Sequence, residues 1–222
     1  MLAAFQFLTI LPLPGARNLR DEDWGRATAW YPFVGLVLGA ILAGLDWGLR
    51  WLWPRGVATA LLLVAWVALT GALHLDGFVD CCDALFAPVS RERRLEILRD
   101  VHVGAFGVTG VVLLLGVKLV ALAAVPAALR LPVLLLVPAL GRWGMTVAVL
   151  FYPYARSGPG LGQKARTGAG ASQVFIASVT VLVAVALAWW TGLGWMAAGT
   201  LLIAAVTVVA LATWIRSRID FR

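Results

Sequence analysis

The sequence predicts an all-α integral membrane protein, a polytopic bundle with about six transmembrane helices. Of the 222 residues, 62% are hydrophobic and only 13% are charged, and the mean hydropathy is +0.92. A soluble domain has about 25% charged residues, so this chain has too few to cover a water-facing surface. Cys81 and Cys82 are adjacent and cannot link distant segments, which excludes a disulfide-rich secreted scaffold.

Six segments are long and apolar enough to span a bilayer, which takes about 20 mostly apolar residues. They are Thr28–Leu49, Val57–Leu73, Val103–Val125, Leu131–Tyr152, Gln173–Thr191 and Trp195–Trp214. The stretch Met1–Pro14 is apolar but too short to span, and we expect a short interfacial or re-entrant segment there. Together these elements predict one membrane-embedded domain over residues 1–222.

The basic residues predict the orientation of the chain. With six spans, thirteen of the eighteen Lys and Arg lie on the side that holds both termini, and three lie on the other side. Because basic residues beside spans face the cytoplasm, we expect both termini and two loops that are candidates for function, residues 74–102 and 153–172, in the cytoplasm. The net charge of +7 therefore indicates membrane topology and not nucleic-acid binding.

The densest chemistry lies in the stretch HLDGFVDCCD, residues 74–83. Asp76, Asp80 and Asp83 recur at i, i+4 and i+7, which places them on one narrow stripe of a helix. Carboxylates that close repel one another unless a cation lies among them, and oxygen-only ligands with open positions suit Mg²⁺. A solvated helix face is the alternative, but acids at a membrane edge are costly and indicate function. His74 is a metal ligand, a proton carrier or an ordinary hydrogen-bonding residue.

Downstream of the aspartates, Ser90 is a predicted cap for a surface helix over Arg91–Arg99. The arginines of this helix, including Arg94 and Arg99, suit either a phosphate or anionic lipid headgroups. The next stretch, DVHVGAFG, begins at Asp100 and contains two glycines that permit close packing of a helix or exposure of backbone N–H groups to an anion.

Charged residues inside the predicted spans are also candidates for function. Arg142 lies near the middle of the fourth span, where an unpaired charge costs at least about 2.5 kcal/mol, so we expect a carboxylate or a substrate phosphate beside it. Lys118 can either reach outward or join the same site, and Asp46 is expected at the outer interface. Arg156 lies in the glycine-rich segment 153–172, which suits a lid over an anionic substrate or a plain linker.

These stretches together resemble the cobalamin synthase family, the adenosylcobinamide-GDP ribazoletransferases. The matching segments cover most of residues 5–166: FLTILPLP, YPFVGLVLGA, GALHLDGFVDCCDAL, ILRDVHVGAFGV, the lysine of the third span and the GRW of the fourth. The chain departs from the family at His102, where an arginine is more usual. It also lacks the Gly-Gly-x-Thr-Gly-Asp stretch and further helix that usually follow the last basic cluster.

The resemblance implies a Mg²⁺-dependent phosphotransferase that joins adenosylcobinamide-GDP to α-ribazole or its 5′-phosphate and releases GMP, late in cobalamin biosynthesis. It implies Mg²⁺ on Asp76, Asp80 and Asp83, with these aspartates, His74 and Asp100 as catalytic candidates. The implied substrate-binding residues are Arg94, Arg99, His102, Lys118, Arg142 and Arg156. The implied partners are the corrinoid nucleotide, the ribazole and the lipid bilayer. A second copy of the chain and other corrinoid-pathway enzymes are left open as protein partners.

Two other functions compete with this interpretation. A CDP-alcohol phosphotransferase also uses membrane-edge aspartates, but its signature has Asp-Gly-x-x-Ala-Arg, and here Asp76-Gly77 is followed by Phe78-Val79-Asp80-Cys81. A transporter or channel would use a buried Arg142 and an acidic cluster as an ion path. Against it, the charged residues crowd one side, and no two broken helices match in the two halves of the chain.

Overall fold

The described residues of the computed structural model, 1–13, 21–152 and 161–219, form helices and no strand. The eleven α-helices in these ranges are α1 (Leu2–Leu8), α2 (Asp21–Ala27), α3 (Tyr31–Leu52), α4 (Arg55–Leu69), α5 (Leu73–Phe86), α6 (Arg91–Ile97), α7 (Ala105–Ala124), α8 (Arg130–Phe151), α9 (Leu161–Arg166), α10 (Ala171–Ala188) and α11 (Trp195–Ile219). Short helical turns at Thr28–Trp30, Ala127–Leu129 and Trp189–Leu193 join some of them. The predicted all-α class is therefore confirmed.

Five continuous helical stretches of the described chain are long and apolar enough to cross a membrane. They are Glu22–Leu52, Ala105–Ala124, Ala127–Phe151, Ala171–Leu193 and Trp195–Ile219. The sixth candidate is a broken pair, because α4 and α5 meet at an angle of 88°. The chain is thus a multi-pass membrane protein. If α4 and α5 are counted together as one span, the total is six and this span is bent.

The break between α4 and α5 corrects the predicted second span, Val57–Leu73. Its helix ends at Leu69, and Gly71 and Ala72 follow with φ angles of +58° and +56°. Residues in this left-handed region cannot continue a right-handed helix. The backbone N–H of Ile10 donates to the carbonyl of Leu69 at 2.9 Å, so the N-terminal segment holds the end of α4.

The N-terminal segment is packed into the bundle. It forms one short helix, α1, and Ala4 and Leu8 on this helix are fully buried in a cluster with Tyr31 and Val34 of α3. The segment therefore contributes to the apolar core of the protein.

Helices α3 and α8 form the tightest pair in the bundle. Gly35 and Gly39 of α3 face the α8 backbone, and a Cβ atom added at Gly35 would lie 2.6 Å from the Cα of Ala139 and from the carbonyl oxygen of Pro138. A Cβ at Gly39 would lie 2.8 Å from the Cα of Leu135. The G-x-x-x-G spacing thus allows direct contact of two backbones, the usual route to close packing in membranes.

Replacing Gly39 by valine is expected to destabilise the α3–α8 contact, because the new side chain would displace the α8 backbone. Overpacking of this kind costs typically 1–3 kcal/mol, and we expect a lower thermal unfolding midpoint in detergent. The matched control is Gly48→Val on the same helix, where an added Cβ meets no atom within 4 Å. Equal midpoints for the two variants would contradict the packing described here.

A buried ion pair joins the same two helices near their other end. The Arg130 guanidinium donates to both carboxylate oxygens of Asp46, at 2.7 and 2.5 Å, and to the Leu122 carbonyl at 2.8 Å. The relative exposure is 2% for Arg130 and 4% for Asp46. Asp46 is therefore buried in the bundle, where Arg130 satisfies both of its oxygens, and its expected position at the outer interface stays a prediction.

Candidate active site

The region 74–102, expected as a loop, is mostly helical. Helix α5 covers Leu73–Phe86 and α6 covers Arg91–Ile97. Apolar residues throughout α5 let it pack on α7 instead of extending into water. Ser90 caps α6 as predicted, because its hydroxyl accepts a hydrogen bond from the N–H of Arg93 at 3.3 Å.

The three aspartates lie on one side of α5 but in different surroundings. Asp76 is exposed, Asp80 is half-buried and Asp83 is buried. The stripe therefore runs from the protein surface into the contact between α5 and α7.

Asp83 anchors α5 to the start of α7. Its two carboxylate oxygens accept hydrogen bonds from the N–H groups of Gly104 and Gly107, each at 2.8 Å. A carboxylate at a helix N-terminus is stabilised by the unpaired N–H groups and by the helix dipole. The sequence left two roles open for these glycines, close packing of a helix and exposure of N–H groups to an anion. In the structure their N–H groups bind an anion of the same protein, the Asp83 carboxylate.

A ready-made site with three protein ligands is absent from the described residues. Within residues 1–13, 21–152 and 161–219, no three His, Cys, Asp or Glu side chains are arranged to hold a metal ion. Asp83 does not complete such a site, because both of its carboxylate oxygens accept hydrogen bonds from the backbone at the start of α7. Asp76 and Asp80, one helical turn apart, are the other two carboxylates of this stripe.

Glycines on α7 make room for the side chains of α5. A Cβ atom added at Gly107 would lie 2.6 Å from Val79, and one at Gly110 would lie 2.6 Å from the Sγ of Cys82. An added Cβ at Gly104 would meet the Asp83 carboxylate within 3.0 Å. The spacing of these glycines places all three on the face of α7 that receives α5.

Replacing Gly107 by valine is expected to separate α5 from α7 and to lower both stability and activity. The cost is about 1–3 kcal/mol for overpacking, with a further loss from the broken hydrogen bond to Asp83. Thermal unfolding and product formation would be measured beside Gly116→Val, a control on α7 where an added Cβ has open space. An unchanged Gly107→Val protein would rule out this account of the junction.

Asp100 and His102 form a pair in the segment before α7. The Nδ1 atom of His102 lies 2.6 Å from the Asp100 carboxylate, which also accepts the His102 backbone N–H at 3.0 Å. The hydrogen bond from the His102 side chain is the largest of the effects that hold the pKa of Asp100 below its usual range. The His102 side chain is 87% exposed, so the pair faces solvent.

The arginines of α6 mainly hold the end of α11. Arg94 donates to the Arg218 carbonyl at 3.0 Å and to the Ala87 carbonyl at 3.5 Å, and Arg91 donates to the Ile219 carbonyl. Arg94, predicted to bind substrate, thus bonds backbone carbonyl groups. Arg99 is exposed. Arg156, the other predicted arginine outside the spans, lies outside the described residues.

A second group of predicted residues lies on α5, α7 and α8. Arg142 is only 5% exposed, and its Nε and Nη2 atoms have no hydrogen-bond partner among the described residues. His74 lies within electrostatic range of Arg142 and of Lys118, and its buried Nε2 atom also lacks a partner in the described part of the chain. The Lys118 ammonium lies 5.3 Å from the centre of the Trp66 ring. We call His74, Lys118 and Arg142 the basic cluster.

Comparison with known proteins assigns the chain to a family. A model of the family described as cobalamin-5-phosphate synthase matches residues 1–221. The chain belongs to the cobalamin-5-phosphate synthase family. Within it, the chain is 39% identical to the adenosylcobinamide-GDP ribazoletransferase of Roseiflexus sp. (strain RS-1) over 198 residues, which cover 84% of this chain and 73% of the relative.

Other relatives in the cobalamin-5-phosphate synthase family carry the same name. The adenosylcobinamide-GDP ribazoletransferase of Geotalea daltonii is 43% identical over 180 residues, 81% of this chain and 72% of its own length. That of Deinococcus radiodurans is 53% identical over 113 residues, which is 50% of this chain and 42% of the relative. No solved structure matches the chain. The resemblance read from the motifs is therefore confirmed.

Sequence reasoning missed two features near these sites. The Asp46–Arg130 pair escaped notice because the partners are 84 residues apart and each lies at a predicted membrane edge. The position of Trp66 beside Lys118 was missed because tryptophans in spans are common at interfaces. The signal in the sequence that could have pointed to both features is that charged residues are rare inside apolar segments.

Proposed function

We propose that the chain is an adenosylcobinamide-GDP ribazoletransferase that joins adenosylcobinamide-GDP to α-ribazole or its 5′-phosphate and releases GMP. The observation that carries the proposal is membership of the cobalamin-5-phosphate synthase family over residues 1–221. The aspartate stripe on α5, held against α7 by Asp83, is the feature of the described chain best suited to diphosphate chemistry.

The reaction is a displacement at phosphorus. The ribose 3′-oxygen forms a bond to the phosphorus on the cobinamide side of the diphosphate, and the bond from that phosphorus to the bridging oxygen breaks. GMP leaves with the bridging oxygen, and the hydroxyl proton passes to a base. Such reactions depend mainly on positioning and on neutralising the charge of the phosphate oxygens.

Asp76 and Asp80 are the proposed ligands for Mg²⁺. They lie one helical turn apart on one stripe, and Mg²⁺ is usually held by one or two carboxylates together with substrate phosphates and water, so this donor set fits the ion. When bound, Mg²⁺ would neutralise charge on the diphosphate. Asp83, whose oxygens accept from Gly104 and Gly107, is assigned here to positioning α5.

Asp100 and His102 are the proposed proton acceptors. A carboxylate bonded to Nδ1 fixes the imidazole ring and leaves Nε2 directed outward, an arrangement that suits a general base. Both residues precede α7, whose N-terminal glycines hold Asp83, so the pair lies on the same side of the bundle as the α5–α7 junction. Arg99 and Arg156 are proposed to attract the phosphate groups of the substrates.

The orientation of the chain follows from the distribution of its basic residues. We place it in the bacterial inner membrane with both termini and the aspartate stripe on the cytoplasmic side, because basic residues beside spans face the cytoplasm. Association with a second copy of the chain or with other corrinoid-pathway enzymes stays a prediction.

A donor comparison tests the proposal against the alternative phosphotransferase. Purified protein in nanodiscs would receive either adenosylcobinamide-GDP or a CDP-activated alcohol, each with α-ribazole 5′-phosphate. We expect GMP from the first donor and no CMP from the second. Release of CMP without GMP would assign the chain to the CDP-alcohol class, and ion flux in proteoliposomes without either nucleotide would favour a transporter.

A further inference from the structure

Residues 84–103 form a loop that leaves the α5–α7 junction and returns to it. Asp83, just before the loop, accepts a hydrogen bond from the N–H of Gly104, just after it, at 2.8 Å, so the base of the loop is closed. The loop contains the end of α5, the whole of α6 and the Asp100–His102 pair. The position of this pair relative to the aspartate stripe therefore depends on what holds the loop away from its base.

The C-terminal end of α11 holds the loop through two arginines of α6. A helix leaves its last four carbonyl groups without partners inside the helix, and basic side chains commonly bond them. Arg94 donates from Nη1 to the Arg218 carbonyl at 3.0 Å, and Arg91 donates from Nε to the Ile219 carbonyl. Ile219 is only 4% exposed, so this end of α11 is a packed part of the fold.

Arg94 also reaches the end of the aspartate helix. Its Nη2 atom donates to the carbonyl of Ala87, the residue that ends α5, at 3.5 Å. Beside this contact, the Phe86 ring of α5 packs on the Trp214 ring of α11, with 5.7 Å between the ring centroids. A guanidinium presents its donors in a rigid planar fork, so the Arg94 side chain fixes the ends of α5 and α11 relative to each other and to α6.

The backbone of α6 connects Arg94 to the Asp100–His102 pair. The Leu98 N–H donates to the Arg94 carbonyl, and the Asp100 N–H donates to the Ile97 carbonyl, each at 3.0 Å. The Asp100 carboxylate then holds both the ring and the backbone N–H of His102. A shift of α6 would therefore move the pair relative to the aspartates of α5.

We propose that Arg94 is a positioning residue, which joins α6 to the end of α11 and thereby fixes the Asp100–His102 pair relative to the aspartate stripe. The proposal rests on the proposed function. Both terminal nitrogens of the Arg94 guanidinium donate to backbone carbonyls, which favours positioning over the substrate binding expected from the sequence. Arg91 contributes to the same contact with α11.

The kinetic test compares Arg94→Met with Arg216→Gln. For Arg94→Met we expect kcat per folded protein to fall about 10- to 100-fold, because a displacement of about 1 Å at a reacting group can cost 100-fold in rate. The folded fraction is taken from protection of Cys82, which is buried, against a thiol dye. KM for both substrates should stay nearly unchanged, since the substrates do not contact Arg94.

Two further variants make the kinetic result specific. Arg216→Gln removes an exposed charge from the last turn of α11 but none of the hydrogen bonds described above, so its kcat should stay normal. Arg91→Gln removes the bond to Ile219 and should lower kcat less than Arg94→Met, which gives an independent answer if Arg94→Met fails to fold. A raised KM with an unchanged kcat in Arg94→Met would mean that Arg94 binds substrate, and would overturn the proposal.

Hydrogen exchange without substrates separates this proposal from the proposed function. In Arg94→Met, the amides of residues 91–100 and of the last turn of α11 should exchange faster, because local opening follows the loss of contacts that hold a segment. Exchange in α3 should stay as in the unaltered protein, and Arg216→Gln should show no change. Faster exchange in a protein that forms no product would support the contact and reject the transferase. Unchanged exchange over residues 91–100 would overturn the role of Arg94.

Discussion

Asp80→Asn is expected to abolish turnover while the protein stays folded. The substitution removes one of the two carboxylates proposed to hold Mg²⁺, and stabilisation of transition-state charge by a metal is worth several kcal/mol. We therefore expect product formation to fall by at least about 100-fold, since each 1.4 kcal/mol is a factor of ten. The measurement is the initial rate of GMP release at saturating substrates.

Two comparisons make the Asp80 result specific. Glu92→Gln removes the same charge from exposed α6 and should leave the rate nearly unchanged. Asp83→Asn should instead lower both the rate and the unfolding temperature, because an amide nitrogen would face one of the N–H groups of Gly104 and Gly107. An Asp80→Asn protein with near-normal rates at every Mg²⁺ concentration would refute its assigned role.

Asp46→Ala is expected to cause the largest loss of stability. It leaves the Arg130 guanidinium, 2% exposed, without its carboxylate in the contact between α3 and α8. Removing one partner of a buried ion pair costs about 3–5 kcal/mol. Unfolding can be followed by reaction of a thiol dye with Cys82, which is 4% exposed in the folded protein.

Arg50→Ala is the matched control for the ion pair. Its guanidinium lies 3.8 Å from Asp46, but its side chain is 34% exposed, so its removal should cost less than about 1 kcal/mol. The double variant Asp46→Leu with Arg130→Met should recover much of the lost stability, because apolar replacements of a buried pair are often neutral. A loss for Asp46→Ala no greater than that of Arg50→Ala would contradict the described pair.

The sequence predicted those parts of the fold that depend on hydrophobicity along the chain. The third to sixth spans match helices in the structure because each is a long apolar run with polar ends. The second matches α4 only as far as Leu69, because Gly71 and Ala72 take left-handed conformations near its predicted end. Hydropathy reports the depth of a segment in the bilayer and carries no information on the direction of its backbone.

The candidate site was predicted in its residue types more fully than in its geometry. The i, i+4, i+7 spacing correctly placed the three aspartates on one side of a helix, but it treated them as equivalent. Asp83 differs because of Gly104 and Gly107, which lie 21 and 24 residues further along the chain. Arg94 likewise bonds the carbonyl of Arg218, 124 residues away. Such long-range contacts are invisible to local patterns.

The central claim is tested most directly by product formation. Purified protein in nanodiscs would be given adenosylcobinamide-GDP, α-ribazole 5′-phosphate and Mg²⁺, and GMP and the corrinoid product would be separated by chromatography. The account predicts equal amounts of the two products, lost on chelation of Mg²⁺ and restored when it is added back. A folded protein, verified by protection of Cys82 from the thiol dye, that forms neither product under these conditions would contradict it.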